Sequence, residues 1–203
     1  MELTRVSKPS VVSIPFGKYS PLYTQKDLFS VKGSIWVDGK EIKATSETRS
    51  VIDDHRGYYP RNMHYDWTSF MGMKEGKSFG INLTHNQSSD EENYNENLIW
   101  FDNDMSILPP VKFEHINDCK TIEFESPEKT PMKWTIKDQH DMVNLTFDVL
   151  GVHKNLTNVA KVIVDAKYFV AFGKINGYVR DEKGKKYEFK DDHAIAEDKT
   201  MTF

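Results

Sequence analysis

Residues 143–149 read VNLTFDV, and this stretch determines the fold class of the chain. Apolar residues occupy every second position, which is the pattern of a β-strand with one buried and one solvent-exposed face. Residues 79–84, FGINLT, show the same alternation. No stretch of a dozen residues has the apolar spacing of an amphipathic helix. The sequence therefore predicts an all-β protein.

Turn-forming residues separate the alternating segments at regular intervals. Four hairpin turns are predicted, at residues 38–39, 74–77, 102–104 and 181–184. Successive hairpins of this kind make a single antiparallel meander. Many short strands at this spacing favour a barrel or a strongly curved sandwich, and a closed barrel also protects its strand edges from aggregation.

The chain is predicted to be one domain, 1–203. Its 203 residues, 38% of them apolar, are enough for a sizeable core, and no linker-like tract divides them. Residues 1–10 are expected to form an amino-terminal arm. Residues 86–97, NQSSDEENYNEN, are expected to form a loop. The carboxy-terminal tail, 191–203, is interpreted as either a short helix or an irregular strand.

Composition argues against several classes of partner and of site. The 27 basic and 31 acidic residues include no basic run, so nucleic acid is not an expected partner. Cys119 is the only cysteine, so no intramolecular disulfide can form, and a reducing, cytoplasmic location is expected. The apolar runs are too short to predict membrane insertion.

The main candidate site is residues 53–72, DDHRGYYPRNMHYDWTSFMG. This segment concentrates carboxylates, imidazoles, guanidinium groups and phenols just before an apolar strand. An arginine in such a setting can clamp an anionic or carbonyl oxygen, and a buried Asp or His can exchange a proton near neutral pH. The alternative is a structural network of ion pairs and hydrogen bonds that closes one end of the sheet.

No metal or cofactor site is predicted from the motifs. His55 and His64 have neither the spacing of a helical pair nor that of alternate strand positions with a third ligand. No phosphate loop, dinucleotide fingerprint or nucleophile elbow occurs. Cys119 is interpreted as a buried or incidental thiol.

A set of motifs along the chain resembles domain-of-unknown-function family 2804. The matching residues are Asp53-x-x-Arg56-Gly57-Tyr58, Pro60-Arg61, Trp67, Phe79-Gly80-Ile81-Asn82, Glu96-Asn97, Phe101-Asp102, Phe147, Phe172-Gly173 and Gly177. The resemblance covers roughly residues 10 to 203. It implies a lipocalin-like, calycin-type barrel that corresponds to the carboxy-terminal half of longer members. It implies no particular chemistry, because the family has none assigned.

Three functions remain open from the sequence. In the first, the barrel binds a small lipophilic ligand, with Arg56, Arg61, Trp67, Trp36, Phe70, Trp100 and Phe172 as candidate lining residues. Plain core packing is the alternative role of these aromatic side chains.

In the second, the pocket is the site of a lyase, hydratase or isomerase. Asp53 or Glu197 would be the general acid/base, Arg56 the oxyanion stabiliser and Tyr58 the proton donor. In the third, the domain is structural. It would then pair with a second copy, or with a partner domain that replaces a missing amino-terminal half.

Overall fold

The computed structural model describes residues 1–159 and 164–203. Within them it has fifteen strands and no α-helix, so the all-β prediction is confirmed. In chain order the strands are β1 (Glu2–Arg5), β2 (Ser10–Pro15), β3 (Pro21–Lys32), β4 (Ser34–Val37), β5 (Lys40–Lys43), β6 (Arg49–Gly57), β7 (Asn62–Lys74), β8 (Lys77–His85), β9 (Leu98–Phe101), β10 (Asp104–Ile107), β11 (Lys112–Ile116), β12 (Lys133–Lys137), β13 (Val143–Val159), β14 (Val164–Arg180) and β15 (Lys186–Thr202).

Nine strands form one large antiparallel sheet in the order β10-β9-β8-β7-β15-β14-β13-β12-β11. Its two edge strands, β10 and β11, are connected by residues 108–111 alone. Such a short connection spans at most about 18 Å, so the sheet must curl until its edges are close. The result is a half-barrel, in agreement with the predicted barrel-like or strongly curved fold.

The concave face of the half-barrel is filled by side chains. Ile99 on β9 and Ile136 on β12 belong to one buried cluster, although their strands are far apart in the sheet. Phe70, Phe79 and Phe189 pack in the same cluster, with ring centroids 5.3–6.1 Å apart. The concave face therefore contributes most of the core.

A four-stranded sheet packs on the convex side of the large sheet. Its central strand is β3, which pairs with β6 along one edge and with β1 and β2 along the other. Leu28 on β3 packs with Leu98 and Trp100 on β9, and this cluster joins the two sheets. The strands β4 and β5 form a separate hairpin, on which Trp36 is 68% exposed.

The four predicted hairpin turns are confirmed. They connect β4 with β5, β7 with β8, β9 with β10 and β14 with β15. Residues 86–97 contain no strand, and residues 191–202 continue β15. No described segment forms a helix that is long and apolar enough to cross a membrane.

Candidate functional site

A cleft of about 210 Å³ lies between the four-stranded sheet and the convex face of the half-barrel. Residues from β3, β6, β7, β8 and β15 line it, together with residues from the loops before β3, after β6 and after β8. The lining residues are Phe16, Leu22, Lys26, Asp53, His55, Tyr59, Met63, His64, Tyr65, Trp67, Thr84, Asn86, Glu96 and Glu197. The cleft thus combines apolar walls with a small set of charged groups, as ligand-binding sites do.

A buried ion pair forms the floor of this cleft. The side chains of Lys26 and Glu96 are only 3% and 6% exposed, and the ammonium of Lys26 donates to Glu96 Oε1. Lys26 Nζ also donates to Thr24 Oγ1 at 3.0 Å and lies 3.2 Å from Asp53 Oδ1. The Thr24 hydroxyl donates to Glu96 Oε1 at 2.6 Å. The two charges are therefore paired and hydrogen-bonded, as burial requires.

A chain of three polar groups leads from the floor toward the mouth. His55 Nε2 lies 2.7 Å from Asp53 Oδ1, and Tyr59 Oη lies 3.2 Å from His55 Nδ1. Burial and the carboxylates of Glu96 and Asp53 raise the pKa of Tyr59, so its phenol stays protonated at neutral pH and is available as a hydrogen-bond donor. His55 Nε2 also lies 3.2 Å from Lys26 Nζ, so this nitrogen contacts both the floor ammonium and the Asp53 carboxylate.

The charge state of Asp53 follows from two opposing effects. Burial alone raises the pKa of a carboxyl group. Here the hydrogen bond from His55 and the positive charge of Lys26 outweigh burial and lower the pKa of Asp53 below its usual 3.8. Asp53 is thus a carboxylate at neutral pH, placed to accept a proton through His55.

Glu197 adds a second carboxylate on the half-barrel side of the cleft. Tyr65 donates to Glu197 Oε2 at 3.0 Å, and Tyr168 donates to Glu197 Oε1 at 2.6 Å. Burial and the adjacent carboxylate raise the pKa of both phenols. Both tyrosines therefore remain hydrogen-bond donors to Glu197 at any physiological pH.

The structure brings three of the predicted site residues together and separates the others. Asp53, Trp67 and Glu197 line the cleft. Arg56, Arg61, Tyr58, Trp36 and Phe172 are exposed outside it, and Arg56 pairs with Asp54 at 2.9 Å. Phe70 and Trp100 are buried in the core. The cleft lies between the sheets and not inside the curl, because core side chains fill the concave face.

Sequence reasoning missed Lys26 and Glu96. A signal existed for Lys26, because it alternates in phase with Leu22 and Leu28 and so faces the interior from a two-faced strand. Glu96 lies in a polar loop without alternation, and its one signal was its place in the family motif Glu96-Asn97. His55 and His64, which belong to the predicted segment 53–72 but were not expected to be metal ligands, both border the cleft, although the imidazole of His64 contacts Asp66 and Asp198 on the other face of β7.

Comparisons with known proteins identify the family. A search of the curated proteins found no match, and a search of the solved structures found none. The resemblance predicted from the motifs is confirmed, because the family model described as Domain of unknown function (DUF2804) matches residues 1–203. The chain belongs to this family.

Proposed function

We propose that the cleft between the two sheets binds a small, mainly apolar molecule that carries one hydroxyl or carbonyl group. The observation that supports this most directly is the buried Lys26–Glu96 pair beneath apolar walls that include Leu22 and Met63, which are 3% and 4% exposed. Apolar walls favour a lipophilic body. The polar floor favours a ligand with one hydrogen-bonding group.

The volume and charge of the cleft narrow the class of ligand. A cleft of about 210 Å³ is smaller than the roughly 300–1,000 Å³ of drug-sized sites, so the ligand is small. Asp53, Glu96 and Glu197 place three carboxyl groups around the single ammonium of Lys26. An anionic ligand is therefore disfavoured, and a neutral alcohol, ketone or aldehyde fits best.

Binding is tested with the intact chain and a matched pair of tryptophan variants. Medium-chain alcohols, methyl ketones and fatty acids are titrated and followed by NMR chemical shifts. Alcohols or ketones should shift the resonances of Trp67 and Met63, whereas fatty acids should bind more weakly. Trp67→Ala should reduce affinity, whereas Trp36→Ala, on the exposed hairpin, should not. Equal effects of the two variants, or no shifts at Trp67, would contradict the proposal.

A second function, acid/base catalysis on a carbonyl compound, is favoured by the Asp53–His55–Tyr59 chain. A histidine held between a carboxylate and a phenol is a common arrangement for proton transfer. Lys26 and Tyr59 would then hydrogen-bond the carbonyl oxygen, and His55 or Asp53 would move the proton. This is lyase, hydratase or isomerase chemistry without a cofactor.

Proton transfer can be measured without knowing the natural substrate. Ketones that bind the cleft are incubated with the protein in deuterated water, and NMR follows exchange of the protons next to the carbonyl. The wild-type chain should accelerate exchange, and Asp53→Asn should remove the acceleration. Asp54→Asn, which changes a neighbouring carboxylate paired with Arg56, should leave it unchanged. No acceleration by the wild type would leave binding as the sole function of the cleft.

A further inference from the structure

A second polar cluster lies on the concave face, on the opposite side of β7 and β15 from the cleft floor. Asp66 and Asp198 are direct cross-strand partners in these two strands. Asp66 is separated from Phe70, and Asp198 from Ala196, by an even number of positions, so each aspartate faces the same side of the sheet as its strand neighbour. Phe70 and Ala196 belong to the concave core. The side chains of Asp66 and Asp198 are 7% and 0% exposed. Two carboxylates are therefore buried side by side.

Two imidazoles flank these carboxylates. His64 Nε2 lies 3.5 Å from Asp66 Oδ2, and His64 Nδ1 lies 3.7 Å from Asp198 Oδ1. On the other side, His115 Nε2 lies 3.1 Å from Asp66 Oδ1, and His115 Nδ1 lies 3.8 Å from Asp198 Oδ2. His115 is held in place by stacking on Trp134, with a centroid distance of 4.2 Å. We call these four residues the Asp–His cluster.

Several polar atoms of the Asp–His cluster are buried without satisfying hydrogen bonds. Asp66 Oδ1, both carboxylate oxygens of Asp198 and His115 Nε2 have no hydrogen-bond partner of acceptable geometry among the described residues. Buried polar atoms are normally hydrogen-bonded, and unsatisfied ones indicate a missing water or ion. Asp66 Oδ1 faces His115 Nε2 at 3.1 Å, Asp198 Oδ1 faces Lys120 Nζ at 2.8 Å, and Asp198 Oδ2 lies 3.8 Å from His115 Nδ1.

We infer that His64, Asp66 and Asp198 bind a divalent transition-metal ion such as Zn²⁺ or Mn²⁺. Each residue offers one ligand atom, and the three atoms lie within 4.8 Å of one another. Zinc lies about 2.0–2.2 Å from nitrogen and oxygen ligands, so adjacent ligand atoms around it are roughly 3–3.5 Å apart. His64 Nδ1 lies 3.2 Å from both the Lys199 carbonyl oxygen and Thr200 Oγ1, which leaves Nε2 as the metal ligand. Nε2 lies 3.5 Å from Asp66 Oδ2, whereas the 3.7 Å distance to Asp198 Oδ1 is measured from Nδ1, so the imidazole and Asp198 must shift toward each other when an ion binds.

The ligand types select the kind of metal. An imidazole with two carboxylates suits first-row transition metals better than Mg²⁺ or Ca²⁺, which prefer oxygen ligands alone. His115 would orient the two carboxylates from the opposite side, as partners of metal ligands commonly do. His64 is 39% exposed, so an ion has a route from solvent, and three protein ligands leave a coordination position open.

Lys120 competes with the ion for Asp198. Its ammonium lies 2.8 Å from Asp198 Oδ1 and balances part of the negative charge. The Lys120 side chain is 27% exposed and lies on the segment between β11 and β12, so it can rotate toward solvent when a metal binds. The alternative to a metal site is a permanent Lys120–Asp198 ion pair within a structural network. The two alternatives predict opposite results for a Lys120 variant.

The experiment uses the full chain after chelator treatment and dialysis. Zn²⁺ binding is measured by calorimetry, and Mn²⁺ is added in separate NMR samples to broaden nearby resonances. We expect one equivalent of Zn²⁺ and selective broadening of His64 and His115. His64→Gln should weaken Zn²⁺ binding by at least about 10-fold, whereas His153→Gln, at an exposed histidine of β13, should not change it.

Lys120→Gln tests the competition directly. Removing the ammonium should tighten Zn²⁺ binding, because Asp198 no longer has to exchange one cation for another. Near-UV circular dichroism confirms that each variant is folded. Unchanged affinity in Lys120→Gln, equal affinities of His64→Gln and His153→Gln, or no broadening at His115 would overturn the assignment.

Discussion

The indole N–H of Trp67 donates a 2.7 Å hydrogen bond to Asn82 Oδ1 on the neighbouring strand. Asn82 is fully buried, and its amide in turn donates to the Glu96 carbonyl oxygen at 2.7 Å. Asn82 thus connects the wall of the cleft to the loop that carries the floor carboxylate, although it does not line the cleft.

Asn82→Ala should therefore affect both stability and binding. It leaves the Trp67 N–H and the Glu96 carbonyl without partners, which costs about 1–3 kcal/mol per buried group. Urea unfolding measures this loss, and calorimetry with a bound alcohol measures the loss of affinity. Asn144→Ala, at an exposed position of β13, is the control and should change neither.

Lys26→Met should be strongly destabilising, because it leaves the buried Glu96 carboxylate without its cation. Breaking a buried pair in this way costs about 3–5 kcal/mol. The double variant Lys26→Met/Glu96→Gln should recover much of this loss. Denaturant unfolding of the wild type, both single variants and the double variant gives the coupling energy.

The exposed pair Lys129–Glu125 is the comparison for this cycle. Its side chains are 72% and 60% exposed, so its coupling should be below about 1 kcal/mol. Equal coupling in the two pairs would show that the floor of the cleft is not a desolvated environment.

Asp53 should make the free energy of unfolding depend on pH in the acid range. Its folded-state pKa is lowered below 3.8 by His55 and Lys26, although burial opposes this shift. Its carboxylate therefore contributes stability above the unfolded-state pKa, and the contribution is lost as the pH falls through the folded-state pKa.

Urea unfolding between neutral and acid pH measures this effect. Asp53→Asn should give a shallower loss of stability on acidification than the wild type. The exposed Asp54→Asn should keep the wild-type slope. Identical slopes for wild type and Asp53→Asn would exclude a native-state interaction of the Asp53 carboxylate.

Glu197→Gln should lower the pKa of Tyr168. Burial raises this pKa first, and the hydrogen bond and negative charge of Glu197 raise it further. Removing the negative charge of Glu197 leaves mainly the increase in pKa that burial causes, so Tyr168 should ionise at lower pH. NMR of ring-labelled tyrosine resolves its titration, with Glu92→Gln in the exposed loop as control. An unchanged Tyr168 titration would contradict the observed contact.

Local patterns predicted the strands and hairpins, because alternation and turn residues act over a few positions. Residues 143–149 and the turn at residues 74–77 are examples of this success. The division into two sheets was not predictable. It arises because β6 pairs with β3 and not with β7, the next strand along the chain. The cleft lies at this division, so its location was also missed.

Gly57 is a motif residue whose structural role becomes clear only from the fold. Its φ of +154° suits glycine, and a Cβ there would lie 2.3 Å from the Pro21 carbonyl oxygen. This close approach lets β6 and β3 pair beside the cleft. The sequence marked Gly57 as part of a motif, but no local pattern indicated that Pro21 would be its neighbour.

The partners of Asp66 were equally unpredictable. His64 is two residues away, but Asp198 reaches it through the β7–β15 pairing and His115 through the curl of the sheet. Neither the Asp66–Asp198 contact nor the Asp66–His115 contact can be inferred from the spacing of these residues in the sequence. The expectation of no metal site rested on local spacing, which cannot detect the proposed ligand set because Asp198 lies on a different strand from His64 and Asp66.

The β7–β15 pairing also has a consequence for synthesis in the cell. Strands β7 to β10 and β11 to β15 are two local meanders, and this pairing is the seam that joins them into one sheet. Trp67 meets Glu197, and Asp66 meets Asp198, along this seam. Hairpins of the first meander can form on the ribosome while β15 is still inside the exit tunnel. Glu197 of the cleft and Asp198 of the Asp–His cluster are added only when β15 emerges, so a stalled nascent chain would expose an unpaired β7 edge and require chaperone protection.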